Sequence, residues 1–139
     1  MFEKVSYLTL SDQKYPYKCD ILVLEKIQDE YGDLSDFENK LIGFTPAKNE
    51  DGSTKRNEDG YMIGVYETPD IKTLKKALFW MVQEGVEIEA EERGKEQMQI
   101  SENALFRAID IPPRELGELL REEFSRCFKT KNVKPTQKK

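Results

Sequence analysis

The chain has 139 residues, 35% of them charged and 37% hydrophobic, with a net charge of −5, two cysteines and no histidine. Its length suits one domain with one core. Without histidine, Ser-His-Asp and Cys-His catalysis and histidine-ligated metal chemistry are excluded, and two distant cysteines, Cys19 and Cys127, make neither a disulfide scaffold nor a four-ligand zinc site.

No stretch approaches 18 consecutive apolar residues, so no membrane-spanning helix is expected. The opening MFEKVSYLTL lacks the basic and long apolar regions of a secretion signal, and a cytoplasmic setting is expected. Charge is unevenly spread. Residues 129–139, KTKNVKPTQKK, hold five lysines and no acid, and read as a disordered tail. The remaining body, residues 1–128, holds 17 basic and 27 acidic residues, a net −10, which repels nucleic acid phosphate and suits a partner with a basic surface.

Residues 5–10, VSYLTL, alternate apolar and polar, as do residues 14–18, KYPYK, after the turn-forming Ser11-Asp12-Gln13; together they predict a short β-hairpin. Pro16 cannot donate to a ladder, so its strand is an edge. Asp20 caps a helix to about Tyr31, with Leu24, Ile27 and Tyr31 on one face and Gly32 closing it. A shorter helix follows over 35–42, with Ser35 as cap and Phe37, Leu41 and Ile42 facing inward.

Residues 45–60, TPAKNEDGSTKRNEDG, contain a single apolar side chain, Ala47, and repeat Asn-Glu-Asp-Gly at 49–52 and 57–60. Such a stretch is a solvated loop with turn chemistry at both ends. Residues 61–66, YMIGVY, read as a strand that can pair with part of 42–48, making a second hairpin-like insertion near 42–66. Pro69-Asp70 opens the next helix. Leu74, Ala77, Leu78, Met81 and Val82 repeat at helical spacing, and Phe79 and Trp80 widen the apolar surface, so this helix is central. Gly85 bends or ends it, and the glutamate-rich 86–98 continues as an exposed helix weakened by Gly94. Ser101 caps a short helix through Ala108. Pro112-Pro113 breaks it, and Pro113 starts a last helix carrying Leu116, Leu119, Leu120, Phe124 and Cys127 on one side. The fold class is α+β, predominantly α: an N-terminal hairpin, then a compact bundle of about five helices.

No catalytic, metal or cofactor site emerges. A helix–loop–helix calcium site counted from Asn49 needs glycine sixth and glutamate twelfth; here Gly52 is fourth and Gly60 twelfth, so the repeat reads as turns. The carboxylates Glu84, Glu87, Glu89, Glu91 and Glu92 sit beside Arg93 and Lys95 and read as a solvated helix face. Cys127 lies with Leu120 and Phe124 on an apolar face and reads as core; Cys19 precedes a helix but has no base beside it. Residues 101–128 resemble a DNA-reading helix-turn-helix in outline. Glu115, Glu118, Glu122 and Glu123 against Arg114, Arg121 and Arg126 make the second helix too acidic to read a groove.

Two stretches carry a family resemblance. One is Lys14-Tyr15-Pro16-Tyr17-Lys18-Cys19-Asp20 leading into ILVLEKIQDEYGDLSDF; the other is LKKALFWMV at 74–82 followed by ISENALFRAIDIPPRELGELLREEFSRCF. Over about two-thirds of the chain this order resembles the tail assembly chaperones of long-tailed bacteriophages and prophages. The resemblance rests on residue-class patterns, and nothing carries over onto 45–66. It implies a non-enzymatic protein of the bacterial host cytoplasm that binds the tape measure protein and helps bring tail tube protein to it, with no cofactor, small-molecule substrate, nucleic acid or membrane partner, and with self-association open. The expected contact surface is a groove between the central helix, at Phe79 and Trp80, and the last helix, at Leu116, Leu120 and Phe124. The alternatives are a DNA-binding regulator of a mobile element and a structural tail component retained in the virion.

Overall fold

A computed structural model describes residues 5–94, 96 and 99–129. Lys95 and the lysine-rich stretch beyond Lys129 lie outside the described residues. The architecture is α+β and mainly helical. Strands β1 (Ser6–Leu10) and β2 (Gln13–Tyr17) form an antiparallel hairpin. Helices α1 (Ile21–Tyr31) and α2 (Leu34–Ile42) follow, then a second antiparallel pair, β3 (Phe44–Pro46) with β4 (Gly64–Tyr66). The chain continues through α3 (Ile71–Arg93), α4 (Glu102–Arg107) and α5 (Pro113–Arg126).

The helix starts follow from side-chain capping. Asp20, Asp70 and Ser101 each accept from a backbone amide of the first turn that has no intrahelical partner. Asp33, not Ser35, caps α2, accepting from the Ser35 amide at 2.9 Å, and the helix starts one residue early. Leu10 and Gln13 pair directly, so the first hairpin has a two-residue loop. Its residues Ser11 and Asp12 both have positive φ, +49° and +67°, the mirror-image turn that matches strand twist. Two bonds hold this turn to the end of α4: Ser11 Oγ donates to the Ala108 carbonyl at 2.8 Å, and the Ser11 amide donates to Asp110 at 3.0 Å.

Helix α3 is central. Leu74, Ala77, Leu78, Met81, Val82 and Val86 are buried in one stripe against β2, α1, α2 and α5. The expected break at Gly85 does not occur, and α3 runs unbroken for 23 residues. Gly85 serves packing instead. A Cβ there would lie 2.6 Å from the Pro16 carbonyl carbon and 2.7 Å from the Tyr17 amide nitrogen. Absence of a side chain lets β2 lie directly on the helix, and Lys18 donates its amide to the Met81 carbonyl at 2.9 Å. The helix ends at Arg93 with Gly94 in the left-handed region.

Helix α5 closes the other side. Leu116, Leu120 and Phe124 fill the core, with the Phe124 ring 5.2 Å from Phe37. Beside Phe124, Glu123 is only 1% exposed yet charged by type. Its carboxylate accepts from Ser6 Oγ at 2.7 Å and from the Cys19 amide at 3.0 Å, with Arg126 Nε at 3.5 Å. Burial of a carboxylate is tolerable only with such partners. Cys127, four residues on, donates its thiol to the Cys19 carbonyl at 2.9 Å. Two successive turns of α5 thus hold both polar groups of one residue, at the junction between hairpin and α1.

Two substitutions test these assignments. Gly85→Ala improves intrinsic helix propensity by about 1 kcal/mol, but overpacking against β2 outweighs it, for a net loss of about 1–3 kcal/mol in urea denaturation. Asp12→Gly relieves the positive φ and gains about 0.5–1 kcal/mol in the same assay.

Candidate partner-binding surface

The segment between α2 and α3 stands as an arm on two backbone bonds. Glu67 donates its amide to the Gly43 carbonyl at 2.7 Å, and Asp70 donates to the Lys40 carbonyl at 3.0 Å. Within the arm, both Asn-Glu-Asp-Gly copies fold alike. The glycine amide donates back to the asparagine carbonyl at 3.0 Å in each, and Gly52 and Gly60 have φ of +91° and +87°. The asparagine amides then bond across each turn, Asn49 to the Ser53 carbonyl and Asn57 to the Tyr61 carbonyl. Residues 53–57 are thereby bridged on one side to Lys48 and on the other to Met62. The stretch expected to be a solvated loop is a small meander. Its polar side chains serve the turns: Asp51 accepts from the Ser53 amide and hydroxyl, and Asn57 accepts from the Asp59 and Tyr61 amides.

The returning limb of the arm carries the exposed apolar residues. Tyr61, Val65 and Tyr66 are 70%, 56% and 61% exposed, with Met62 and Ile63 also open. The Tyr66 ring packs tilted against Phe44 with centroids 5.0 Å apart, and Gly64 lets β3 and β4 pair closely, since a Cβ there would lie 2.2 Å from the Thr45 carbonyl oxygen. At the arm's base a hollow of about 400 Å³ lies between Ile42, Tyr66 and the Arg114, Glu118 and Arg121 side chains of α5. Arg121 is paired there with Glu38 at 3.1 Å.

The residues expected to line an interhelical groove are not brought together. Leu116, Leu120 and Phe124 are core, because α5 turns its apolar stripe onto α2 and α3 and spends it inside the molecule. Phe79 and Trp80 are half-buried on another side of α3. They border a hollow of about 270 Å³ with Phe106 of α4, where Lys75 lies over the Phe106 ring at 5.0 Å. The arm's apolar limb is the surface that a search for helical stripes passes over; its signal in the sequence is the run Tyr61-Met62-Ile63-Gly64-Val65-Tyr66 beside two turn motifs.

The glutamates of α3 divide by position. Glu89 accepts from the Tyr7 hydroxyl, which raises the Tyr7 phenol, and lies 3.8 Å from Arg93. Glu84 is partly buried. Burial, then a hydrogen bond with the Asp20 helix cap, push its carboxyl up to about 8, and the charges of Asp20 and Glu87 act in the same direction. Among the described residues no group of three or more acidic or cysteine side chains is placed to hold a metal ion. Comparison with protein-family models, with curated proteins and with solved structures gives no match.

Glu84 gives the folded state a pH dependence of definite sign. Its folded pKa, about 8, lies above its ordinary value of 4.5. The folded state therefore binds the extra proton between these limits, and the stability this contributes is full below the lower limit and lost as pH rises through the upper one. Glu84→Gln, which keeps a hydrogen-bond donor and cannot ionise, is expected to match the parent in urea denaturation at acidic pH. It should be measurably more stable at alkaline pH.

Proposed function

We propose that this protein is a tail assembly chaperone of a bacteriophage or prophage, acting without catalysis by binding the tape measure protein and assisting assembly of the tail tube. The observation that carries a binding role is the arm, where a continuous apolar limb from Tyr61 to Tyr66 stands in solvent on a well-anchored base. Five large apolar residues in six positions are costly to leave exposed, and such patches mark interaction sites. The net −10 of residues 1–128 complements a basic partner. The particular partner is drawn from the resemblance of the hairpin–helix opening and of the helical C-terminal half to the tail assembly chaperones. A tape measure protein is a long helix whose apolar stripes need cover before assembly, and an exposed apolar limb beside a charged body suits reversible cover. The contact surface is assigned to the arm, with Phe79 and Trp80 as a secondary patch, and not to Leu116, Leu120 or Phe124.

The test is soluble co-expression with the long coiled-coil protein encoded by the neighbouring tail genes. Co-purification is expected. The double variant Tyr61→Ser/Val65→Thr should weaken capture by about tenfold or more, as loss of an exposed apolar anchor does, with an unchanged melting temperature. No association of the parent protein sinks the proposal. A shift of DNA mobility at moderate salt, or recovery of the protein in purified virions, would favour the regulator or the retained tail component.

A further inference from the structure

Cys19 and Cys127 are far apart in sequence and are brought together by α5. The Cys127 sulfur lies 2.9 Å from the Cys19 carbonyl oxygen, and the two thiols are in contact with each other, the side-chain proximity that a disulfide needs. Both cysteines are free thiols. They differ in access: Cys19 is 2% exposed, whereas Cys127 is half-buried at the last turn of α5. Both line a hollow of about 280 Å³ whose rim also carries Lys18, Asp20, Arg126 and Lys129. Three cations on the rim suit an anionic, peptide-like thiol or disulfide, while the Glu123 and Asp20 carboxylates also bear on the sulfur.

We infer that Cys127 is a modification site for small-molecule disulfides of the glutathione type, and that Cys19 resolves the adduct into an internal Cys19–Cys127 disulfide. In the first step the Cys127 thiolate attacks one sulfur of the small disulfide. The Cys127–S–S–R bond forms, the S–S bond of the reagent breaks, and one RS⁻ leaves and takes up a proton. In the second step Cys19 gives its proton to solvent and its thiolate attacks the Cys127 sulfur, expelling the second RS⁻, which is protonated in turn. Two protein thiols are oxidised and one small disulfide is reduced to two thiols. Contact with the Cys127 thiol and burial both push the Cys19 thiol up, so its thiolate is scarce. Formation of the mixed disulfide removes the Cys127 thiol from that contact and leaves burial as the remaining restraint on the Cys19 thiol; the mixed disulfide on Cys127 is the intermediate that precedes the bridge. The bridge would fasten α5 to the hairpin–α1 junction at the point where Glu123 already holds it.

The full chain is incubated with glutathione disulfide at mildly alkaline pH, quenched with an alkylating agent and followed by intact mass and peptide mapping. A transient glutathione adduct on Cys127 is expected, followed by loss of two hydrogens and a peptide joining Cys19 to Cys127. The bridged protein should melt higher by roughly 5 °C or more, since the bridge closes a very long loop. Cys19→Ser should stop at the Cys127 adduct, and Cys127→Ser should leave Cys19 unmodified. Two thiols that both remain alkylatable, a stable adduct in the parent that never resolves, or bridging only between separate molecules would each overturn the inference. The parent measurements decide it even where a serine variant does not fold.

Discussion

Helix α5 holds Cys19 by both ends of its peptide framework, the amide by Glu123 and the carbonyl by Cys127. This grip ties the hairpin–α1 junction to the last helix. Glu123 also reaches Ser6 in β1, so one carboxylate joins the first strand, the start of α1 and the last helix. An unpaired carboxylate in that position would cost several kcal/mol of solvation, and it keeps its place because two donors converge on it and Arg126 stands at the edge. The hairpin lies against α3 at Gly85, and α5 holds the junction that follows it. Of the buried polar side chains among the described residues, none lacks a hydrogen-bond partner, which makes the arrangement specific as well as tolerable.

Much of the fold around that junction is legible in the sequence. Asp20 and Asp70 are capping residues placed just ahead of apolar periodicity, and Gly32 sits where α1 ends. The alternation of VSYLTL against a proline-containing strand gave a hairpin with an edge. What could not be read is whatever depends on a distant neighbour. Gly85 looks like a helix breaker from within its own segment; only the backbone of Pro16, brought against it, shows why a side chain is missing there. Glu123 belongs by pattern to a charged helix face, and its burial follows from where the N-terminal strand comes to rest. Glu84 misleads in the same manner, grouped by sequence with solvated glutamates but aimed at the Asp20 cap.

The binding surface shows a related asymmetry. Aromatic and leucine residues on α3 and α5 attract attention because their spacing is helical, but helical spacing is what a core requires, and in α5 the core claims Leu116, Leu120 and Phe124. The arm's apolar residues follow a strand pattern in a segment dominated by turn residues. Because the two Asn-Glu-Asp-Gly turns satisfy their own backbone, the limb from Tyr61 to Tyr66 holds its shape without burying its side chains. Order without burial is the condition for a surface that binds without first paying to fold.

The grip on Cys19 also bears on how fast the molecule can form. Ser6 meets Glu123 across a separation of 117 residues, and Ser11 meets Ala108 across 97. The entropy of closing such a loop grows only with the logarithm of its length, so final stability suffers little. Speed suffers more, because a remote contact must close its loop before it can stabilise anything. The arm's turns, by contrast, close over only a few residues each, the kind of contact that forms fastest. The two parts of the molecule therefore mature on different clocks: an arm that completes itself locally, and a body that waits for its last helix.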